Sequence, residues 1–259
     1  MKISFEKSDI KKITIFREDY LASIEEGQEY YLELLISYSD FFEVVFEEKT
    51  IGYFSYNPED KTLFELYIIP EFIGRYEEVF QFILFEFTVD TALCKSFDHH
   101  LLAVCMQAHK SVEVKGILFR ERNEVELKTS TEIIIREAED KDFVKISQMN
   151  ETVFVSDEEI RENIKKKEIL LFEKETDTIG LGVFSKIFEK RPETDIGMLV
   201  TKKYRRLGYG SYIIAYMFDY VKKIGLKPQC GCAYDNIASR IALEKAGFIS
   251  KYRLFEFKF

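Results

Sequence analysis

The chain of 259 residues is long enough for two domains of about 130 residues, and its 46% hydrophobic and 32% charged content is that of a globular protein without a transmembrane span. The net charge of −9 is uneven: residues 1–130 carry −11 and residues 131–259 carry +2, which argues against nucleic acid as a partner. A charged N-terminus without an apolar leader, and four cysteines without zinc-like spacing, predict a cytoplasmic protein with reduced thiols and no metal site.

The two halves carry the same order of predicted elements. Each begins with an alternating apolar–polar hairpin, FEVVFEEKTIGYFSY (42–56) or EILLFEKETDTIGLGVFSKI (168–187). A strand and a helix follow, first FELYIIPEF and EEVFQFILFEF (64–87), then DIGMLV and GSYIIAYMFDYVKK (195–223). The offset of about 132 residues predicts a duplicated domain rather than a solenoid.

Each half is then predicted to continue with an apolar strand, LLAVCMQ (101–107) or QCGCAY (229–234). A short helix and a glycine–apolar pair close each half, at residues 116–117 and 247–248, before a final charged and aromatic strand. The polar stretch ELKTSTE (126–132) predicts the boundary between domains 1–129 and 130–259.

The helix after residue 209 is the best-defined element. Its apolar residues recur at helical spacing and predict one buried stripe: Ile213, Ile214, Met217, Val221 and Ile224. Gly225 is predicted to end the helix in the left-handed conformation. Either Asp235 or Asn236 is expected to cap the next helix, over residues 237–246.

The most informative segment is VTKKYRRLGYGS (200–211), where a strand ends and a helix begins. Arg205, Gly208 and Gly210 form the pattern R-x-x-G-x-G. Two glycines let the backbone approach a ligand, and the helix N-terminus favours an anion such as a pyrophosphate. The segment lacks the G-K-[ST] of a Walker A loop, and it is not the dinucleotide G-x-G-x-x-G.

At these residues the sequence resembles the GNAT superfamily of acetyl-CoA-dependent N-acetyltransferases. The family loop V-x-P-x-x-R-G-x-G-x-G reads here as VTKKYRRLGYG (200–210), with Lys202 at the family's proline and Arg206 at its first glycine. Downstream, Asn236, Ser239 and the Gly247–Phe248 pair match the family's N-x-x-(A/S) and G-F at the right separation.

The resemblance implies a mixed α/β (α+β) fold class: two tandem GNAT-like domains, each a mixed, mostly antiparallel sheet flanked by helices. It implies that acetyl-CoA binds residues 130–259 as a co-substrate. The implied binding residues are the strand end, the loop and helix start, and the next cap, namely Leu199, Val200, Arg205, Arg206, Leu207, Gly208, Tyr209, Gly210, Ser211, Asn236 and Ser239.

The catalytic residues are harder to assign. The tyrosine that protonates the leaving thiolate in many GNAT enzymes falls at Leu243, which cannot donate a proton. Tyr234, on the preceding predicted strand, is a candidate acid, with packing as the alternative. Asp195 lies near the family's Glu and is a candidate base for an amine whose pKa is near 10, or else an ordinary strand-edge acid.

The first half resembles a degenerate copy without a cofactor site. Ile68 stands opposite Val200 and Pro70 matches the family proline. Three positions differ, however: Ile73, Tyr76 and Glu78 replace Arg205, Gly208 and Gly210. A bulky side chain and a carboxylate at these positions oppose phosphate binding.

The resemblance implies acetyl transfer from acetyl-CoA to a primary amine of unknown identity. The acidic first half favours a cationic small-molecule acceptor, with no nucleic acid and no membrane as partner. Two alternatives stay open, an acyl-CoA-binding regulator without turnover and a protein-interaction module. Oligomeric state is not predicted.

Overall fold

The computed structural model describes residues 3–126, 132–151 and 153–259, which form two compact units. Unit 1 comprises the chain up to Leu118 together with Tyr252–Phe259, and unit 2 comprises Phe119–Lys251. The segment predicted as the boundary, residues 126–132, lies almost wholly outside the described residues, so the boundaries 1–129 and 130–259 stay a prediction. The last eight residues belong to the unit that begins the chain.

Both units are built from β-strands and α-helices. In the described residues the strands are β1 (Ile3–Ser8), β2 (Asp40–Phe46), β3 (Lys49–Asn57), β4 (Thr62–Ile68), β5 (Thr91–Lys95), β6 (Ser111–Phe119), β7 (Ile134–Glu137), β8 (Ile169–Lys174), β9 (Asp177–Lys186), β10 (Glu193–Val200), β11 (Lys227–Ala233) and β12 (Tyr252–Lys258). The helices are α1 (Thr14–Ser23), α2 (Tyr30–Ile36), α3 (Tyr76–Glu86), α4 (His99–Ala108), α5 (Phe143–Met149), α6 (Asp157–Lys165), α7 (Tyr209–Lys223) and α8 (Ile237–Lys245).

Unit 1 is a mixed, mostly antiparallel sheet in the order β1-β2-β3-β4-β5-β12-β6. β4 and β5 are parallel, whereas the other neighbouring pairs are antiparallel. The C-terminal strand β12 lies between β5 and β6, and its Phe257 is fully buried in the core with residues of β3, β4 and α3. The sheet of unit 1 therefore includes the end of the chain.

Unit 2 repeats this plan with the sheet order β11-β10-β9-β8-β7. β10 and β11 are parallel, and the neighbouring pairs β7–β8, β8–β9 and β9–β10 are antiparallel. One face of the sheet packs on α5 and α6 through a core that includes Ile146, Ile160 and Leu199. The predicted fold class, sheets of mostly antiparallel strands flanked by helices, is confirmed.

The duplication is visible in the strand register. Gly52 of β3 pairs with Ile68 of β4, and Gly180 of β9 pairs with Val200 of β10, so Ile68 and Val200 occupy equivalent positions, as the sequence predicts. A Cβ at Gly52 would lie 1.9 Å from the carbonyl oxygen of Tyr67, and one at Gly180 would lie 2.3 Å from that of Leu199. Both hairpins need glycine at this position because the neighbouring strand passes too close for a side chain.

Several predicted elements differ from the structure. Residues 101–107, predicted as a strand, lie in α4, and the strand of that region is the shorter β5. Gly116 and Ile117 lie within β6 rather than after a short helix. Ile224, predicted in the buried stripe of α7, is 48% exposed, whereas Ile213, Ile214, Met217 and Val221 are buried.

The helix ends follow their predicted signals. Gly225 has a φ of +85°, the left-handed conformation predicted after α7. Asn236, rather than Asp235, caps α8, because its side chain accepts a hydrogen bond from the N–H of Ser239 at 3.0 Å. Across the described part of the chain, none of the helices has the length and apolar character that crossing a membrane requires.

Candidate functional site

An opening between β10 and β11 is the central feature of unit 2. The two parallel strands pair only at their beginnings, where Glu193, Thr194 and Asp195 lie beside residues 227–229. Beyond Asp195, β10 continues to Val200 and β11 to Ala233 without further pairing to each other. The backbone of β10 after Asp195 therefore has an edge that is available to a ligand.

Strand alternation determines which residues line that edge. The N–H of Thr201 donates to the carbonyl of Ile179 on β9. The carbonyl of Pro192, on the opposite edge, accepts a hydrogen bond from the N–H of Lys227 on β11. Because the register of β10 with β9 is regular, its odd-numbered residues turn their N–H and C=O towards β9 and its even-numbered residues turn them towards β11. The backbone groups of Met198 and Val200 thus face the opening.

Leu199, one of the binding residues that the family resemblance implies, does not face the opening. Its backbone groups face β9, and its side chain is buried in the core against α5 and α6. Met198 is the backbone neighbour of Val200 on the open edge. The sequence did not single out Met198, because side-chain pattern does not show which edge of a strand a backbone group faces.

The loop from β10 to α7 is built from a short 3-10 helix, Lys202–Tyr204, and two left-handed residues. Gly208 has a φ of +88°, and a Cβ there would meet open space, so this glycine is required by the backbone and not by crowding. Arg206 has a φ of +63°, which a non-glycine residue rarely adopts. A glycine, which the family's loop has at this position, adopts the left-handed conformation without cost, whereas the arginine is strained there.

The start of α7 presents backbone donors. The N–H of Tyr212 donates to the carbonyl of Gly208 at 3.2 Å and is the first to enter the helical ladder. The N–H groups of Tyr209, Gly210 and Ser211 precede that ladder, so an external acceptor can take them. Such a helix N-terminus, with its partial positive charge, suits a pyrophosphate.

Gly210 has a second reason to be glycine. A Cβ there would lie 3.2 Å from Sδ of Met198 and 3.4 Å from Cβ of Ala242. The α7 helix therefore packs tightly on β10 and α8 at this residue. The sequence predicted that Gly210 lets the backbone approach a ligand. In the structure, its lack of a side chain makes room for Met198 and Ala242 of the protein itself.

Arg205 is committed to contacts within unit 2. Its Nε donates to the carbonyl of Val200 at 3.0 Å, and its Nη2 donates to Oε2 of Glu151 at 2.8 Å. Lys202 pairs with the other oxygen of Glu151 at 3.3 Å. Hydrogen bonds from these two cations hold the pKa of the Glu151 carboxyl below its usual value. Glu151, in the segment between α5 and α6, is a second site residue that the sequence did not single out.

Lys203 and Tyr204 lie on the same 3-10 helix but contact Asp177 of β9. Lys203 pairs with the Asp177 carboxylate, and the Tyr204 hydroxyl donates to it at 2.7 Å. These bonds lower the pKa of Asp177. Lys202 and Arg205 thus pair with Glu151 at the open edge, whereas Lys203 pairs with Asp177 away from it.

The candidate catalytic residues lie at different places. Asp195 occupies the last paired position of β10, where the strands separate, and its Oδ1 accepts a 3.3 Å hydrogen bond from Gln229. Tyr234 lies in the turn after β11 instead of on the strand, and it is 46% exposed. Leu243 is buried in α8, 3% exposed.

Unit 1 has the corresponding opening, but a side chain fills it. β4 and β5 pair only through Thr62 and Leu63, and then separate. The hydroxyl of Tyr76 donates to the carbonyl of Leu66 at 2.8 Å, on the backbone of β4 after the paired residues. Tyr76 is 5% exposed, and burial raises the pKa of its hydroxyl well above the ordinary value, so the donor stays protonated.

The start of α3 in unit 1 also differs in charge from the start of α7 in unit 2. Arg75, the residue before α3, pairs with Glu78 in the first turn of that helix at 2.8 Å. The carboxylates of Glu77 and Glu78 stand where a phosphate site would need donors. On β4, Glu65 is fully buried and accepts two hydrogen bonds from Arg17 and one from Tyr53. Glu65, Arg17 and Tyr53 of unit 1 thus satisfy one another.

Two family models match the chain. Residues 9–122 match an acetyltransferase (GNAT) domain, and residues 134–248 match the acetyltransferase (GNAT) family. Among the curated proteins, none matches this sequence at the significance required of a relative.

Solved structures show the same fold. An acetyltransferase of the GNAT family from Colwellia psychrerythraea matches with a TM-score of 0.88 and 18% identity, covering 100% of both chains. A GCN5-related N-acetyltransferase from Sphaerobacter thermophilus matches with a TM-score of 0.64 and 13% identity, covering 99% of this chain and 95% of that one. A tandem GNAT protein from the clavulanic acid biosynthesis pathway matches with a TM-score of 0.57 and 12% identity over 98% of both chains. At these identities the likeness is one of fold.

Proposed function

Because the chain belongs to the GNAT acetyltransferase family and carries two of its domains in tandem, we propose that unit 2 binds acetyl-CoA and transfers its acetyl group to a primary amine. Unit 1 binds no acetyl-CoA. The acceptor class favoured by the −11 charge of residues 1–130 is a cationic small molecule.

One observation carries the proposal: the opening of unit 2 meets two kinds of backbone donor. The edge of β10 offers the N–H groups of Met198 and Val200, and the start of α7 offers those of Tyr209, Gly210 and Ser211. An amide-containing arm needs the first kind and a pyrophosphate needs the second. In unit 1, Tyr76 occupies the edge of β4, which supports a single site per chain.

Acetyl-CoA supplies an activated thioester, and the protein supplies position and proton transfer. The edge of β10 would hold the pantetheine arm, with Met198 in place of Leu199, and the N–H groups of Arg206 to Ser211 would hold the pyrophosphate, since that of Arg205 donates to the carbonyl of Lys202. Asn236 and Ser239 are proposed contacts of the CoA at the start of α8. Fixing the thioester in this way contributes through orientation, which is a large part of many acyl-transfer rates.

Asp195 is the proposed base, since it lies where β10 and β11 separate and an ammonium acceptor must lose a proton before it attacks. Gln229 orients its carboxylate through the 3.3 Å hydrogen bond. Tyr234 is the proposed acid for the leaving thiolate. It is accessible enough for that role, but the turn after β11 does not fix its hydroxyl by any hydrogen bond among the described residues.

A second candidate function is that of an acyl-CoA sensor without turnover. Leu243 favours it, because a buried leucine stands where many GNAT enzymes place the proton donor. Binding is common to both functions, so only product formation separates them.

The test is to incubate the full chain with acetyl-CoA and a panel of primary amines and to measure acetylated amine by mass spectrometry. Mass detection avoids thiol reagents, which would also react with the partly buried Cys232. Amine acetylated above the rate of a protein-free control supports the enzyme. Acetyl-CoA binding without product from any amine favours the sensor, and the absence of binding contradicts both.

A further inference from the structure

We propose that Glu151 is an electrostatic latch on the opening of unit 2, which holds Arg205 against the carbonyl of Val200 until acetyl-CoA replaces it there. The proposal rests on the proposed function, because it concerns the same opening. It assigns a role to a residue outside the loop and the strands that line the site.

The latch consists of one carboxylate and two cations. Oε2 of Glu151 accepts from Nη2 of Arg205 at 2.8 Å, and Oε1 lies 3.3 Å from Nζ of Lys202. With its guanidinium held from that side, Arg205 turns its Nε to the carbonyl of Val200 at 3.0 Å. Both oxygens of the carboxylate and one edge of the guanidinium are thereby engaged.

The carbonyl of Val200 is an important acceptor in this site. It is an even-numbered residue of β10, so its C=O points to the open edge and not to β9. An amide N–H of a ligand lying along that edge needs such an acceptor. While Arg205 donates to it, the carbonyl is occupied, and the ligand must displace the guanidinium.

The segment that carries Glu151 is held in place by its neighbour. The side chain of Asn150 donates to the carbonyl of Phe154 at 2.8 Å and accepts from the N–H groups of Val153 and Phe154 at 3.0 and 3.1 Å. Phe154 is 4% exposed and belongs to the core between α5, α6 and the sheet. Glu151 therefore directly follows a residue whose side chain is anchored to this core.

The latch is weak enough for a ligand to open. The side chains of Glu151 and Arg205 are 43% and 42% exposed, and that of Lys202 is 81% exposed. Exposed ion pairs contribute little individually and are screened by salt. A pyrophosphate at the start of α7 competes for the same two cations, so ligand binding and release of Arg205 are coupled.

The test compares the full-length wild type with Glu151→Gln by isothermal titration with acetyl-CoA and with S-acetylpantetheine, which lacks the pyrophosphate. The matched control is Asp177→Asn, which removes the carboxylate that pairs with Lys203 on the same 3-10 helix but touches neither Arg205 nor Val200. Glu151→Gln is expected to bind acetyl-CoA about two- to fivefold more tightly at low salt, as the loss of weak surface ion pairs allows. Its gain with S-acetylpantetheine is expected to be at least as large, because that ligand has no phosphate with which to open the latch. Asp177→Asn is expected to bind both like the wild type.

Equal or weaker binding by Glu151→Gln, next to a wild type that binds acetyl-CoA, overturns the latch and leaves the proposed function standing. A gain with acetyl-CoA but none with S-acetylpantetheine also overturns it, because simple repulsion between Glu151 and the phosphates would then explain the result. A gain of equal size in Asp177→Asn has the same consequence. If the wild type does not bind acetyl-CoA, the proposed function fails and the latch fails with it.

Discussion

The hydroxyl of Tyr76 donates a 2.8 Å hydrogen bond to the carbonyl of Leu66, on the strand edge that in unit 2 lies open. The two units share their hairpin register and their separating parallel strands, so this contact marks a difference between otherwise similar sites. The residue that the sequence aligns with Gly208 of unit 2 has become a buried aromatic side chain. Unit 1 thus has the same fold as unit 2, but the side chain of Tyr76 occupies its opening between β4 and β5.

Tyr76→Phe is expected to destabilise the protein by about 1–2 kcal/mol, because it leaves the Leu66 carbonyl without its donor. Denaturant unfolding monitored by circular dichroism gives the change. Tyr67→Phe, at the residue that follows Leu66 on β4, is the control. Among the described residues, none accepts a hydrogen bond from the Tyr67 hydroxyl or donates one to it. Equal unfolding free energies for the two variants would show that the Tyr76 hydrogen bond contributes nothing.

Arg206→Gly is expected to stabilise the chain without ligand by about 1 kcal/mol, because it relieves a side chain held in the left-handed region. Leu207→Gly provides the contrast, since Leu207 does not have a positive φ and glycine there only adds freedom to the unfolded chain. The melting temperature should therefore rise in Arg206→Gly and fall in Leu207→Gly relative to the wild type. A lower melting temperature for Arg206→Gly would contradict the strain.

Gly210→Asp is expected to abolish acetyl-CoA binding, because a carboxylate beside the first N–H groups of α7 repels a pyrophosphate. The Cβ of the new aspartate would also lie 3.2 Å from Sδ of Met198, so the effect of packing on binding must be separated from that of charge. Gly210→Ala makes the same contact without the charge and should retain most of the binding, since the Met198 side chain can shift. Wild-type affinity in Gly210→Asp, measured by titration calorimetry, would refute the loop assignment.

Asp195→Asn is expected to slow acetyl transfer most below about pH 8, where an amine acceptor with a pKa near 10 is largely protonated and needs a base. At higher pH a growing fraction of the amine is unprotonated, so the difference in rate between Asp195→Asn and the wild type becomes smaller. Asp219→Asn, an exposed carboxylate of α7 that pairs with Arg122, is the control. A pH–rate profile unchanged by Asp195→Asn would remove Asp195 from the mechanism.

The sequence predicted the family, the duplication and most elements because these depend on local signals. Alternation marked the hairpins, helical spacing marked α7, and Gly225 marked its end. The run at 101–107 was wrongly predicted as a strand, because a short apolar run does not reveal its period. In the structure Leu101, Val104 and Cys105 form a buried helical stripe, and the side chain of Asp98 caps the helix.

The site was harder to predict because its contacts depend on tertiary structure. Whether Leu199 or Met198 faces the opening is decided by which strand lies on each side of β10. Arg205 was expected near a phosphate, and its partners in the structure are Val200 and Glu151, the latter 54 residues earlier in the chain. No local pattern indicates that Glu151 lies there.

The number of acetyl-CoA molecules that bind the full chain can be measured by isothermal titration calorimetry. With the opening of unit 2 available and that of unit 1 filled by Tyr76, we expect one acetyl-CoA per chain. A stoichiometry of about two, with Gly210→Asp removing only one of the sites, would contradict it.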